Sequence, residues 1–234
     1  MRYWLVMPAA GSSSRFGAET PKQYATLEGR TVIEWALAPF LEDARCAGAV
    51  VALAGDDRRW AQVAARVRGP TVSVATGGAE RSSSVRSALA ALTARAAPCD
   101  WVLVHDAARP CLAAEDLDRL LTTLAAHPVG GLLATPAVDT LKRSQGGPGE
   151  GAEVAQTVDR TGLWRALTPQ MFRYGKLCAA LDAAHAAGRF PSDEAQALEW
   201  LGEHPQLVCG NASNLKVTTA PELSLAAAIL RART

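Results

Sequence analysis

Apolar residues gather along this chain in short, nearly unbroken runs: Trp4-Leu5-Val6-Met7, Ala49-Val50-Val51-Ala52-Leu53, Thr71-Val72-Ser73-Val74, Trp101-Val102-Leu103-Val104 and Gly131-Leu132-Leu133-Ala134. Runs without polar alternation predict strands covered on both faces, the habit of parallel sheets. Amphipathic stretches of helical length lie between and around them, at 31–41, 58–67, 82–95 and 114–126. Thr31-Val32-Ile33-Glu34 and Thr219-Ala220-Pro221-Glu222 have the form of capping boxes and predict two helix starts. Such alternation predicts a three-layer α/β fold with right-handed crossovers and ligands at the carboxyl ends of the strands. Arg15, Asp106 and Thr135-Pro136 each follow a strand candidate and are placed to converge at that edge.

One stretch breaks the rhythm. Ser144-Gln145-Gly146-Gly147-Pro148-Gly149-Glu150-Gly151 is turn-forming and separates two strand-like pieces, 138–143 and 153–158. The pattern predicts a β-hairpin arm over 138–160, inserted in a single domain of 1–234, with the Gly-rich run at its tip. A lone two-stranded hairpin is marginal in water. A second copy of the chain is the simplest surface for it to pack on. The competing reading is a disordered insertion, against which residues 153–160 resume a strand-like pattern.

Charge and cysteine content narrow the class. Lys+Arg number 24 against 23 Asp+Glu, a net charge of +1, which argues against bulk binding of nucleic acid or of an anionic membrane. Any anion site must be local. Five scattered cysteines (46, 99, 111, 178, 209) form no Cys-x-x-Cys pair and suit a reducing compartment. No apolar run reaches the ~18 residues of a membrane span, and the apolar start at 5–10 is too short for an export signal. The expectation is a soluble, cytoplasmic protein.

The first apolar run leads into Pro8-Ala9-Ala10-Gly11-Ser12-Ser13-Ser14-Arg15, followed by Pro21-Lys22-Gln23. A turn of small residues at a strand's carboxyl end lets backbone N–H groups close on phosphate oxygens, and Arg15 and Lys22 supply fixed positive charge. The spacing is neither a Walker A loop nor a dinucleotide fingerprint. An ordinary surface turn carries the same letters. Gly77-Gly78 before Arg81-Ser82-Ser83-Ser84 repeats the logic of a glycine turn feeding a helix; a plain N-cap is its alternative. His105-Asp106-Ala107-Ala108-Arg109-Pro110 sets an acid just past a strand, where it suits Mg²⁺ or pairs with Arg109. His105 beside a strand reads as structural, and Lys216, in a polar segment before the last helix, reads as solvated when taken alone.

In combination these strings resemble the 2-C-methyl-D-erythritol 4-phosphate cytidylyltransferases. The likeness runs in order through Pro8-Ala9-Ala10-Gly11…Arg15, Pro21-Lys22-Gln23-Tyr24, Gly77-Gly78…Arg81…Ser84-Val85 and His105–Pro110. It continues through Asp139-Thr140-Leu141-Lys142, Thr157-Val158-Asp159-Arg160, Leu167-Thr168-Pro169-Gln170, Asp193-Glu194-Ala195 and Asn214-Leu215-Lys216-Val217-Thr218. The resemblance implies a Rossmann-like nucleotidyltransferase fold with a mostly parallel mixed sheet. It implies transfer of CMP from CTP to methylerythritol phosphate with Mg²⁺, in a homodimer joined through the arm, with no role for nucleic acid or membrane. By the same resemblance Arg15, Lys22 and Lys216 are cations around the triphosphate, and Asp106 is the metal and positioning acid. Pro8, Ala9, Ala10, Gly11, Ser12, Gly78 and Ser84 are nucleotide contacts. Arg109, Thr140, Thr168, Ser192 and, from a partner subunit, Arg160 contact the sugar-alcohol phosphate. Ser13 departs from the family's usual glycine, and Ser192 from a frequent threonine.

Three rival readings remain at this level. They are a cytidylyltransferase for ribitol 5-phosphate, a nucleotide-binding module without turnover, and a nicotinamide dehydrogenase, whose glycine fingerprint is missing. The reaction itself needs no general base, because the attacking phosphate oxygen is already an anion near neutral pH. It needs two anions held in line and their charge offset.

Overall fold

A computed structural model describes residues 1–11, 20–146 and 151–233. In chain order the elements are β1 (Tyr3–Pro8), β2 (Thr26–Leu27), β3 (Arg30–Thr31), α1 (Val32–Leu41), β4 (Cys46–Leu53), α2 (Trp60–Ala64), β5 (Val72–Thr76), α3 (Arg81–Ala90), β6 (Trp101–Val104), α4 (Ala114–Leu124), β7 (Gly130–Pro136), β8 (Leu141–Ser144), β9 (Val154–Val158), β10 (Trp164–Arg173), α5 (Tyr174–Ala186), α6 (Glu194–Glu199), β11 (Gln206–Cys209) and α7 (Ala220–Arg231). A 3₁₀ turn, Lys22–Tyr24, precedes β2.

Seven strands form one sheet in the order β11-β7-β10-β6-β1-β4-β5. Six run in one direction, and β10 lies against them, antiparallel to both β6 and β7. The mostly parallel mixed sheet matches expectation. Alternation inside β1 shows why its run is uniformly apolar. Tyr3, Leu5 and Met7 enter the cluster with Ile33, Leu37 and Phe40 of α1 and the leucines of α4. Val6 enters the opposite cluster with Val85 and Leu89 of α3 and Leu177 and Leu181 of α5. Successive side chains point to opposite faces, so a strand between two helix layers has no solvent face. A third cluster packs α7 on Leu27, Val32 and Cys111.

Both predicted capping boxes are formed, at Thr31–Glu34 and Thr219–Glu222. The largest shortfalls against the patterns are at two helices: 58–67 gives Trp60–Ala64 and 82–95 gives Arg81–Ala90. Past Ala90 the backbone bonds Leu92 to Leu89 and Arg95 to Leu92. Leu92 stays buried, so the apolar spacing persists while the turns tighten.

β8 and β9 pair antiparallel as a separate two-stranded sheet, Leu141 opposite Val158. Gly147 to Glu150, at the predicted tip, lie outside the described residues. Where β7 meets β10, glycine is obligatory. Gly130 has φ +113°, and a Cβ there would sit 2.1 Å from the Met171 carbonyl oxygen.

Candidate active site

A pocket of about 320 Å³ opens at the carboxyl edge of the sheet. Its walls are the end of β1 (Pro8 to Gly11), the turn before α3 (Gly78 to Arg81) and the end of β6 (Asp106 to Ala108), with Lys22, Gln23, Ser84, Lys216 and Thr218. Two glycine-containing turns press together here. A Cβ on Gly77 would lie 2.4 Å from that of Ala10 and 2.9 Å from Ser84 Oγ, so a side chain would separate the walls. Ser84, buried on α3, accepts from the Gly78 N–H at 3.1 Å and fixes the turn. Gln23 donates to the Ala9 carbonyl at 2.9 Å, tying the Lys22–Tyr24 turn to the end of β1.

Asp106 is the electrostatic centre. Arg81 Nε donates to its Oδ1 at 2.9 Å, Lys216 Nζ lies 2.8 Å from Oδ2, and Arg109 Nε lies 3.8 Å away. Burial by itself would raise its pKa, but the charges of Arg81, Lys216 and Arg109 outweigh burial and hold the carboxyl far below the usual range. The group is an anion at every pH of interest.

Beneath it runs a closed polar chain. The Asp106 N–H donates to Thr168 Oγ1 at 3.1 Å, and Thr168 Oγ1 is 3.0 Å from His105 Nδ1. His105 Nε2 is 3.1 Å from the Arg109 carbonyl. Only one assignment satisfies every group: His105 carries its proton on Nε2 and donates to Arg109, while Thr168 donates to Nδ1. The ring is fully buried against Phe40, and burial pushes its pKa down to about 4. It is a neutral strut, as the sequence suggested. Asn214 Nδ2 donates to the Thr168 carbonyl at 2.7 Å, and the Asn214 carbonyl accepts from Arg109 at 2.7 Å. That link carries Lys216 to the pocket.

Pro8, Ala9, Ala10, Gly11, Lys22, Gly78, Ser84, Asp106 and Lys216 therefore line one pocket. Arg109 and Thr168 lie just beneath it, buried. Thr140 and Arg160 flank the β8–β9 ribbon at its base, exposed, with Arg160 donating to the Val138 carbonyl. Ser192 is exposed before α6. Ser12, Ser13 and Arg15 lie outside the described residues. Arg81, Gln23 and Thr218 line the pocket without having been singled out. Arg81 also binds Glu194, a buried acid 113 positions away, at 2.6 and 3.1 Å. Their signal lay in the strings that carried the resemblance, with nothing in the spacing to pair them.

The profile of the 2-C-methyl-D-erythritol 4-phosphate cytidylyltransferase family matches residues 3–232. The protein of that name from Halorhodospira halophila is 53% identical over 235 residues, spanning 99% of this chain and 95% of its own. The one from Pseudomonas aeruginosa is 52% identical, spanning 94% and 93%. Among solved structures, a 4-diphosphocytidyl-2C-methyl-D-erythritol synthase superposes with a TM-score of 0.84 at 36% identity, covering 98% of both chains. The Francisella tularensis cytidylyltransferase superposes at 0.81 and 30%, covering 98% and 100%.

Proposed function

The chain belongs to the 2-C-methyl-D-erythritol 4-phosphate cytidylyltransferase family, and from that premise we propose how its residues divide the work. The reaction is transfer of CMP from CTP to 2-C-methyl-D-erythritol 4-phosphate, giving 4-diphosphocytidyl-2-C-methyl-D-erythritol and pyrophosphate. The observation that carries the assignment of roles is the ionised Asp106 sharing a pocket with Lys22, Lys216 and two glycine-containing turns.

The turns at Ala10-Gly11 and Gly78 hold CTP through backbone groups, with Ser84 keeping the second turn in shape. Lys22 and Lys216, joined by Arg15, offset the triphosphate charge as the α-phosphorus becomes five-coordinate. Attack comes from the sugar-alcohol phosphate, already an oxyanion, so His105 keeps its strut role and no residue need remove a proton. Arg109 and Thr168 support the floor on which that phosphate is aimed. Thr140, Ser192 and a partner's Arg160 complete its binding.

Magnesium suits this donor set. It takes one or two carboxylates and fills its shell with phosphates and water. Among the described residues there is no cluster of three or more His, Cys, Asp or Glu fit to hold a metal, so Asp106 and the nucleotide together would hold the ion. Bound there, it would act as a Lewis acid on the phosphates.

The ribbon supports a homodimer. Val138, Val154, Leu163 and Trp164 are exposed apolar residues on the ribbon and at its base, the kind of patch a second copy covers. We assign the arm to 138–160 of one nucleotidyltransferase domain. All five cysteines are free, which supports a cytoplasmic setting, and no helix among the described residues is long and apolar enough to cross a membrane.

Pyrophosphate release tests the assignment, with CTP, Mg²⁺ and either methylerythritol phosphate or ribitol 5-phosphate, and ATP and GTP as controls. Release with CTP and methylerythritol phosphate alone is expected. Release with ribitol 5-phosphate instead would refute the substrate, and CTP binding without turnover would refute catalysis.

A further inference from the structure

Glu194 opens α6 and is 1% exposed. It takes no part in lining the pocket. Its hydrogen bonds come from the two Nη atoms of Arg81. Burying a carboxylate with a guanidinium seldom favours stability over an apolar pair of similar volume, so stability is a poor reason for this pair. Position is a better one.

A guanidinium facing a lone carboxylate adopts a two-bond fork. Arg81 lies between two carboxylates and spends its fork on Glu194, leaving a single Nε bond for Asp106. Asp106 Oδ2 is thereby left to Lys216, whose side chain is 39% exposed in the pocket wall. Glu194 itself is held firmly. Asp193 caps α6 through the Gln196 N–H, and buried Gln170 of β10 accepts from the Ala195 N–H while donating to Asp193, each at 2.9 Å. A rigid line therefore runs from β10 through α6 to Arg81 and on to Asp106.

We propose that Glu194 is a positioning residue that, by occupying the fork of Arg81, keeps the Asp106 carboxylate available to a divalent ion and the triphosphate. Without that charge Arg81 turns its fork onto Asp106 and closes it. The inference rests on the reading of Asp106 as the metal acid.

The test compares parent, Glu194→Gln, Glu194→Asp and Asp106→Asn, with folding checked by circular dichroism. Mn²⁺ binding to protein saturated with CTP is followed by loss of the free-ion EPR signal, alongside kcat and the KM for CTP. Glu194→Gln is expected to weaken Mn²⁺ binding and lower kcat, each roughly tenfold, with KM for CTP within about threefold of the parent. Glu194→Asp, which restores the charge at shorter reach, is expected to lie between. A folded Glu194→Gln with Mn²⁺ affinity and kcat within twofold of the parent overturns the proposal. If Glu194→Gln does not fold, Glu194→Asp decides by the same readouts: intermediate losses support the proposal and parent-like values overturn it. Asp106→Asn separates the two readings. Weaker Mn²⁺ binding there with a parent-like Glu194→Gln leaves the metal acid standing and removes Glu194. Unchanged Mn²⁺ binding in Asp106→Asn removes both.

Discussion

Replacing Thr168 by valine separates a floor residue from a substrate contact. The hydroxyl accepts from the Asp106 N–H at 3.1 Å and gives its one proton toward His105 Nδ1 at 3.0 Å. Valine has the same shape and neither capacity. It leaves two buried groups without partners, each at about 1–3 kcal/mol, while the added methyl returns about 0.8 kcal/mol at most. The expected net loss is about 3 kcal/mol, or a Tm lower by roughly 6–12 °C for a chain of this size. Thr168→Ser keeps the hydroxyl and is expected to stay within about 1.5 kcal/mol of the parent, the range of a single methyl deletion. Urea unfolding of the three proteins measures this, with steady-state kinetics alongside. A valine variant within 1 kcal/mol of the parent, but with KM for methylerythritol phosphate raised tenfold, would refute the reasoning and make the hydroxyl a substrate contact.

Lys22→Ala and Lys216→Ala are each expected to lower kcat by about 10²–10³, by analogy with single oxyanion donors. Stability in Lys216→Ala should change by less than about 1 kcal/mol, since that lysine is partly exposed; pyrophosphate release and urea midpoints check both. Glu34 has its pKa lowered from 4.5 to about 2, first by the hydrogen bonds from Arg66, against burial, and then by those from Thr31. A depressed carboxyl stabilises above its unfolded pKa and loses that contribution as pH falls through the folded value. Part of the acid-induced loss between pH 4.5 and 2 should therefore vanish in Glu34→Gln, which is also less stable at pH 7, as urea midpoints against pH will report. Gly130→Ala forces a Cβ against the Met171 carbonyl and is expected to cost upwards of ~4 kcal/mol, read as loss of soluble protein on expression.

Much of the frame was legible because one cause produced both pattern and structure. Residues 4–7, 101–104 and 131–134 are apolar throughout because helices cover both faces, and they became β1, β6 and β7. β10 was hidden. Arg165, Thr168 and Gln170 interrupt its apolar pattern, and Pro169 lacks an N–H, so the ladder to β7 shifts between Ala166 and Gln170. The turns that line the pocket were visible as glycine and small residues beside strand ends. The charge relay was not, since Arg81 and Glu194 meet only after three layers have been assembled. Thr168 was read as a group facing substrate. Its hydroxyl is engaged under Asp106, between that residue's N–H and His105, a commitment no local pattern encodes.

The reversed direction of β10 governs how this molecule can change over time. Pro136 at the end of β7 stands opposite Trp164 at the start of β10, so the whole ribbon segment leaves and re-enters the sheet between paired neighbours at the ligand edge. Had β10 run parallel to β7, a crossover along the body would have been required, and every change in length would have disturbed packed helices. As built, an insertion between β8 and β9 lengthens a hairpin connection rather than a crossover, and the entropy of a longer loop grows only logarithmically, about 0.6 kcal/mol for each doubling. Descendants are thus free to lengthen, shorten or recharge the ribbon while the residues that line the pocket stay still. The proposed substrate contacts Thr140 and Arg160 and the proposed contact to a neighbouring subunit all fall at this one segment, so one stretch of gene would retune both.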